Sequence, residues 1–217
     1  MNDVSQVVYA LGRQEASGLT LLGTAFAVGK RRVATAYHVT GASDEGLAIV
    51  IPRFPNMLAY QDTSDTRVNT VPVRMVAADP LKDLCVLELA AADAEISMSY
   101  GLSGTDAVPP GAPVVTLGFP HANFGRMVLT QQLAHVGARI LIENSGLKSK
   151  HIVLNTQARD GQSGGPVFDV GFSSIVAVVL GSYAPGGGGG ISLGGVDPAT
   201  LHQTTHAISA EYLGAML

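Results

Sequence analysis

Apolar positions along this chain fall in short runs rather than in long stretches of helical period. SGLTLLGTAFAVG (17–29), RRVATAYHV (31–39), GLAIVIP (46–52), TVPVRMVAAD (70–79) and DLCVLELA (83–90) form a first series. APVVTLGFP (112–120), RMVLTQQLAHV (126–136), RILIEN (139–144), HIVLNTQA (151–158), GPVFDV (165–170) and IVAVVLGS (175–182) form a second. Runs of this length, rich in Val, Ile, Leu and Thr and bounded by Gly, Pro, Asp or Asn, predict strands. Two sets of roughly six such strands predict an all-β chain of two antiparallel barrels or sandwiches. The segment between them is dominated by small and turn residues and closes on Pro109-Pro110-Gly111, which reads as a linker. The tail 206–217 spaces its apolar residues as a helix does, with Ser209 as candidate cap ahead of Glu211. The expected division is an N-terminal barrel over 1–95, a linker over 96–111, a C-terminal barrel over 112–205 and a short C-terminal helix over 206–217. The run PGGGGG (185–190) reads as a flexible loop, because glycine gives up the most backbone entropy on ordering.

Composition narrows the function. Of 217 residues, 47% are hydrophobic and only 14% charged, with a net charge of -4. That is too apolar for a disordered chain and gives no basic footprint for nucleic acid. The single cysteine, Cys85, excludes an internal disulfide framework and a multi-cysteine zinc site. The N-terminus carries Asp3 and no apolar run of secretory type, and LAIVI (47–51) and IVAVVL (175–180) are far too short to span a bilayer. These features lead to the expectation of a cytoplasmic protein with no membrane contact.

Three segments carry chemistry. In ARDGQSGGPVF (158–168), Ser163 stands among glycines that clear space around it and allow unusual backbone angles. Such a loop can turn the amides of Gly161 and Ser163 toward one point, as an oxyanion hole requires. Ser163 needs a base, and His38 at the end of RRVATAYHV is the candidate. An imidazole needs an orienting acid, for which Asp83, opening an apolar strand, is the candidate and Asp79 the competitor. The order His38, Asp83, Ser163 differs from that of α/β-hydrolases and of subtilisin-like enzymes.

Other residues take ordinary readings. Cys85 lies within an apolar strand and reads as inert core. His121, His135, His151, His202 and His206 show no ligand spacing shared with Cys or acids, so neither metal nor cofactor is expected. Arg31 and Arg32 read as a solvated turn.

GTAFAV…VATAYHV, ADPLKDLCVLEL, LGFP (117–120) and DGQSGGPVFD together resemble the blocks of trypsin-like, chymotrypsin-fold serine proteases. They are most similar to the disulfide-free bacterial branch of high-temperature-requirement type, over about residues 15–182. The resemblance implies two six-stranded antiparallel β-barrels with His38 as base, Asp83 as orienter and Ser163 as nucleophile in the cleft between them. It also implies a primary pocket with Gln157 at its base and Val179, Leu180 and Gly181 along its wall. A neutral Gln157 does not suit a basic side chain, so an uncharged one is expected there. The loop 185–190 is expected beside this pocket. Gln162 stands where digestive relatives carry the acid that a newly cleaved N-terminus engages, so no zymogen cleavage is expected. The implied activity is that of a serine endopeptidase acting on polypeptides. The alternative is a latent, protease-like effector or binding module governed by a regulatory protein partner or a fused sensor domain.

Overall fold

The computed structural model describes residues 4–183 and 204–217. Six strands close the first barrel: β1 (Val8–Glu15), β2 (Gly18–Ala27), β3 (Arg32–Ala36), β4 (Leu47–Val50), β5 (Thr70–Asp79) and β6 (Leu84–Leu89), in the order β1-β2-β3-β6-β5-β4. The second sheet comprises β7 (Gly101–Leu102), β8 (Pro113–Gly118), β9 (Thr130–Asn144), β10 (Leu147–Leu154), β11 (Pro166–Asp169), β12 (Ser174–Tyr183) and β13 (Thr204–Ser209). Its order is β11-β8-β9-β10-β13-β12-β7, and a β11–β12 pairing turns the sheet back on itself. β7 lies outside that ring, parallel to β12.

Several strands read as continuous apolar runs because both of their faces are covered. Along β6, Cys85, Leu87 and Leu89 fill the first barrel with Leu11 and Ile49. Leu84 and Val86 point the other way, into a core shared with Phe26, Leu117, Phe168 and Val178. This shared core joins the two barrels, and each fully buried large side chain in it is worth roughly 1.5–3 kcal/mol. Tyr100, from the segment between the barrels, adds to the join. Its hydroxyl donates to the Ala27 carbonyl at 2.9 Å and its ring meets Phe168 edge-on at 5.0 Å.

Three expectations are amended by tertiary pairing. β1 is absent from the sequence reading; its Val8–Leu11 run is buried on both faces and has no alternation to betray it. The tail is strand as far as Ser209, because Ala207 and Ile208 pair into β10 and β12, and only Ala210–Ala215 is helical, as a 3-10 turn. The Ser209 hydroxyl does not cap that turn; it accepts from the Thr105 amide at 3.0 Å and donates to Glu211. Arg31 and Arg32 are clasps rather than a solvated turn: Arg31 donates to the carbonyls of Leu89, Ala91 and Ala92, and Arg32 to that of Leu217. Residues 185–190 and His202 lie outside the described residues.

Candidate active site

His38 sits in a single helical turn, α1 (Tyr37–Thr40), directly after β3. Val39 of this turn packs on Gly23 so closely that a Cβ there would lie 2.7 Å from a Val39 methyl. Asp83 adopts a left-handed backbone, φ 56°, in the turn before β6. That conformation lets its carbonyl accept the Tyr37 amide at 3.1 Å while its side chain turns toward α1. Both carboxylate oxygens then engage His38: Oδ1 accepts the His38 main-chain N–H at 2.7 Å and Oδ2 accepts Nδ1–H at 2.6 Å. With its proton held on Nδ1, the ring keeps the Nε2 lone pair for other work. The imidazole is 48% exposed, so it borders solvent.

Asp79, the competing acid, is used locally. Its Oδ1 accepts the amides of Leu81 and Lys82 and its Oδ2 pairs with Lys82 Nζ at 2.7 Å. Burial opposes its charge, but the Lys82 ammonium and these amides outweigh that and hold its carboxyl below the usual range. Asp79 thus shapes the turn that ends in Asp83. Cys85 is buried in the barrel and burial pushes its thiol up to about 11, as suits an inert core residue.

Ser163 occupies the loop between β10 and β11. Its carbonyl accepts the Thr24 amide at 2.9 Å, and Gly164 donates to the Val179 carbonyl at 2.7 Å. A Cβ on Gly164 would stand 2.2 Å from Thr35 Oγ1 and 3.0 Å from the Ala36 nitrogen, so glycine is what lets this loop seat against the strand leading to His38. Residues 159–162 form a turn closed by the Gln162 amide on the Arg159 carbonyl at 3.0 Å. Gly161 is third in it at φ 92°, the position and sign that a type II turn demands. Its peptide plane is fixed from the back: the Asp160 carbonyl accepts the His121 amide at 2.6 Å. The Gly161 carbonyl accepts the Thr24 hydroxyl at 2.7 Å. The amides of Gly161 and Ser163 meet no acceptor among the described residues. Gln162 is buried, and its side-chain oxygen accepts the Arg159 amide at 2.7 Å, so the turn is completed without a charge.

The Ser163 hydroxyl does not bond to His38. It donates to the Leu180 carbonyl at 2.9 Å. A bulge between Val179 and Gly181 turns that carbonyl out of the β12–β13 ladder. Gly181 flanks the hydroxyl, since a Cβ there would lie 3.6 Å from Ser163 Oγ. Of the expected pocket residues, Leu180 and Gly181 therefore adjoin Ser163. Val179 offers main chain, its side chain being packed inside the second barrel. Gln157 is half-buried in the segment that Thr205 and Ser182 tie to β13 and β12 through Thr156 and Ala158.

Sequence reasoning missed Thr24, the His121 amide and the Leu180 carbonyl. Thr24 is fully buried and also accepts the Phe119 amide at 3.1 Å, so one hydroxyl bridges the two barrels beneath Gly161. Its signal was a lone polar residue in the apolar stretch 21–27. The other two act through main chain, which no side-chain motif reports. Among the described residues no group of His, Cys, Asp and Glu is arranged to hold a metal, and no helix is long and apolar enough to cross a membrane.

A closed six-stranded barrel sharing its core with a second β-ring, with few helices, is the chymotrypsin-like fold. Residues 23–178 match the family model of the trypsin-like peptidase domain, and the chain belongs to that family of serine endopeptidases. Among solved structures it resembles the active form of the Rv3671c protease from M. tuberculosis, with TM-score 0.66 and 18% identity over 99% of this chain and 80% of that one. It also resembles the MamO protease domain from Magnetospirillum magneticum, with TM-score 0.69 and 13% identity over 100% and 98%. The HtrA-type protease AlgW with a decapeptide gives TM-score 0.66 and 16% identity over 99% of this chain and 64% of that one. No curated protein sequence matches the chain.

Proposed function

We propose that this chain hydrolyses peptide bonds through Ser163, His38 and Asp83, by way of an acyl-enzyme. Ser163 Oγ attacks the scissile carbonyl carbon while His38 Nε2 takes its proton. The oxyanion is met by the amides of Gly161 and Ser163, each such donor being worth about 10²–10³ in rate. His38 then protonates the leaving amine as the C–N bond breaks. Water, deprotonated by the same nitrogen, releases the acyl group and restores Ser163. Asp83 holds the Nδ1–H tautomer and offsets the charge of the imidazolium. The carrying observation is the pairing of His38 with both oxygens of one carboxylate, beside a serine turn with two uncommitted amides. The locally satisfied Gln162 favours a turn that needs no cleaved N-terminus, and the neutral Gln157 favours an uncharged side chain on the acyl side. The test is peptide cleavage mapped on whole-proteome digests, with Ser163→Ala as control. The variant should lose about 10⁶ in kcat, and cleavage at near the wild-type rate would refute the assignment.

One observation favours the second reading, a latent enzyme governed by a partner. The Ser163 hydroxyl donates its hydrogen bond to the Leu180 carbonyl and makes none to His38, which describes a resting nucleophile. Turnover by the isolated chain on a peptide library, with and without added cell extract, separates the two. Latency predicts turnover only with extract.

A further inference from the structure

Asp83 holds a backbone that most residues adopt only at a cost. Its φ of 56° is left-handed, and such a residue persists where its surroundings over-determine it. Toward α1 it is fixed by its carbonyl on the Tyr37 amide and its carboxylate on His38. On its other side lies the turn Asp79-Pro80-Leu81-Lys82, and there the second barrel takes hold at two points. Asn144 Nδ2 donates to the Leu81 carbonyl at 3.1 Å. The Lys82 ammonium stands 5.4 Å from the centre of the Tyr212 ring, within the range of a cation–π contact.

Both holds are firmly mounted. Asn144 ends β9 and pairs with Leu147 at the start of β10. Between them, Ser145 and Gly146 have φ of 51° and 80°, the two positive values that a tight type I′ hairpin demands. Tyr212 sits in the C-terminal 3-10 turn, which fully buried Ala210 and Leu213 moor to the core. Its hydroxyl accepts the Lys150 amide of β10 at 2.9 Å, and Lys150 Nζ pairs with the neighbouring Glu211 at 3.0 Å. The hairpin and the C-terminal turn are thereby tied to each other. Lys82 is equally committed. Its ammonium lies 2.7 Å from Asp79 Oδ2, so the charge beside Tyr212 is set by the acid whose other oxygen collects the Leu81 and Lys82 amides.

We infer that Asn144 and Tyr212 are positioning residues for Asp83: one anchors the Leu81 carbonyl and the other the Lys82 ammonium, so that the hairpin and the C-terminal turn of the second barrel align the carboxylate on His38. This rests on the reading of Asp83 as the orienting acid. Leu81 and Lys82 directly precede Asp83, so a turn released at those points lets the carboxylate drift. The ring of His38 keeps its orientation only while both carboxylate oxygens stay in place, one on its main-chain N–H and one on Nδ1–H. The brace acts on proton transfer and not on substrate binding, because its bonds lead to the acid turn rather than to the residues around Ser163.

The test uses the native chain and a peptide taken from the cleavage map. Tyr212→Leu keeps an apolar side chain and removes the ring. Asn144→Asp keeps the shape and sets an acceptor against the Leu81 carbonyl. Each should lower kcat by about 10- to 10²-fold with KM unchanged, the scale of a displacement of about 1 Å near reacting atoms. Tyr212→Phe, which keeps the ring without the hydroxyl, should recover most of kcat. The downfield resonance of His38 Nδ1–H should move in Tyr212→Leu and in Asn144→Asp and return in Tyr212→Phe. Wild-type kcat in both breaking variants, a loss confined to KM, or a loss that Tyr212→Phe does not repair overturns the brace. Asn144 is exposed at the hairpin end, so Asn144→Asp decides alone should Tyr212→Leu fail to fold. The acid assignment fails separately, by wild-type turnover in Asp83→Asn. If the native chain cleaves nothing, the resonance decides: movement in the breaking variants supports the brace, and an unmoved resonance overturns it.

Discussion

His38 and Asp83 both stand on the first barrel and are joined by two hydrogen bonds, at 2.6 and 2.7 Å, within that barrel. Ser163 stands on the second barrel, and its turn is held largely by groups from elsewhere: Thr24 from the first barrel and His121 from a separate loop. The half proposed to supply the base is finished at rest, whereas the half proposed to supply the nucleophile keeps two unspent amides and a hydroxyl turned to Leu180. Preorganisation is thus strongest where a proton must be held in one place. Dependence on neighbours is strongest where a substrate must be received.

Breaking the base half should show the largest effect. Asp83→Asn should cost about 10⁴ in kcat by favouring the wrong imidazole tautomer, while Asp79→Asn should cost far less, since Asp79 serves only the turn. Equal losses, read in steady-state kinetics, would exchange their roles.

The framework beneath the second barrel carries a pH signature. His151 is buried, its Nε2 2.9 Å from the Ser149 hydroxyl. Burial, with His206 nearby, lowers its pKa from 6.5 to about 4. The unfolded chain therefore binds more protons between those values. The contribution of the neutral imidazole is full above about pH 6.5 and shrinks as pH falls toward 4, by on the order of 3 kcal/mol in all. Urea midpoints should follow that course, and His151→Gln should flatten it, leaving the smaller slope of His206, whose pKa burial also lowers.

Breaking the nucleophile half costs stability and, at the site, touches the serine turn alone. Thr24→Val removes the donor to the Gly161 carbonyl and the acceptor for the Phe119 amide. Two buried partners left unpaired cost about 1–3 kcal/mol each. The loss in kcat should reach up to about 10²–10³, one donor's worth. The downfield proton resonance of His38 Nδ1–H should stay in place. A shifted resonance would mean that the two halves are not independently held.

The residues proposed as base and nucleophile could be picked out in the sequence because their chemistry lies in side chains set in short, spaced blocks. Gly164 seats the Ser163 loop against Thr35 and Ala36 before His38, and Gly161 seats it against Phe119 and Ala122. What stayed hidden was non-local or main-chain. β1 and β13 owe their form to pairing with distant strands, and the apolar spacing of 206–209 suits a helix until β10 and β12 claim it. The His121 amide and the Leu180 carbonyl act whatever side chains they carry. A cavity of about 820 Å³ assembles from β2, the loop after β4 and residues 119–127, none of which announces the others.

The most direct test of Ser163 as a nucleophile driven by His38 is covalent capture. The native chain is treated with a fluorophosphonate and the adduct is located by peptide mass spectrometry. The account predicts one adduct, on Ser163, that is lost in Ser163→Ala and formed far more slowly in His38→Ala. An adduct on another residue, or labelling of Ser163 at the same rate without His38, would contradict it.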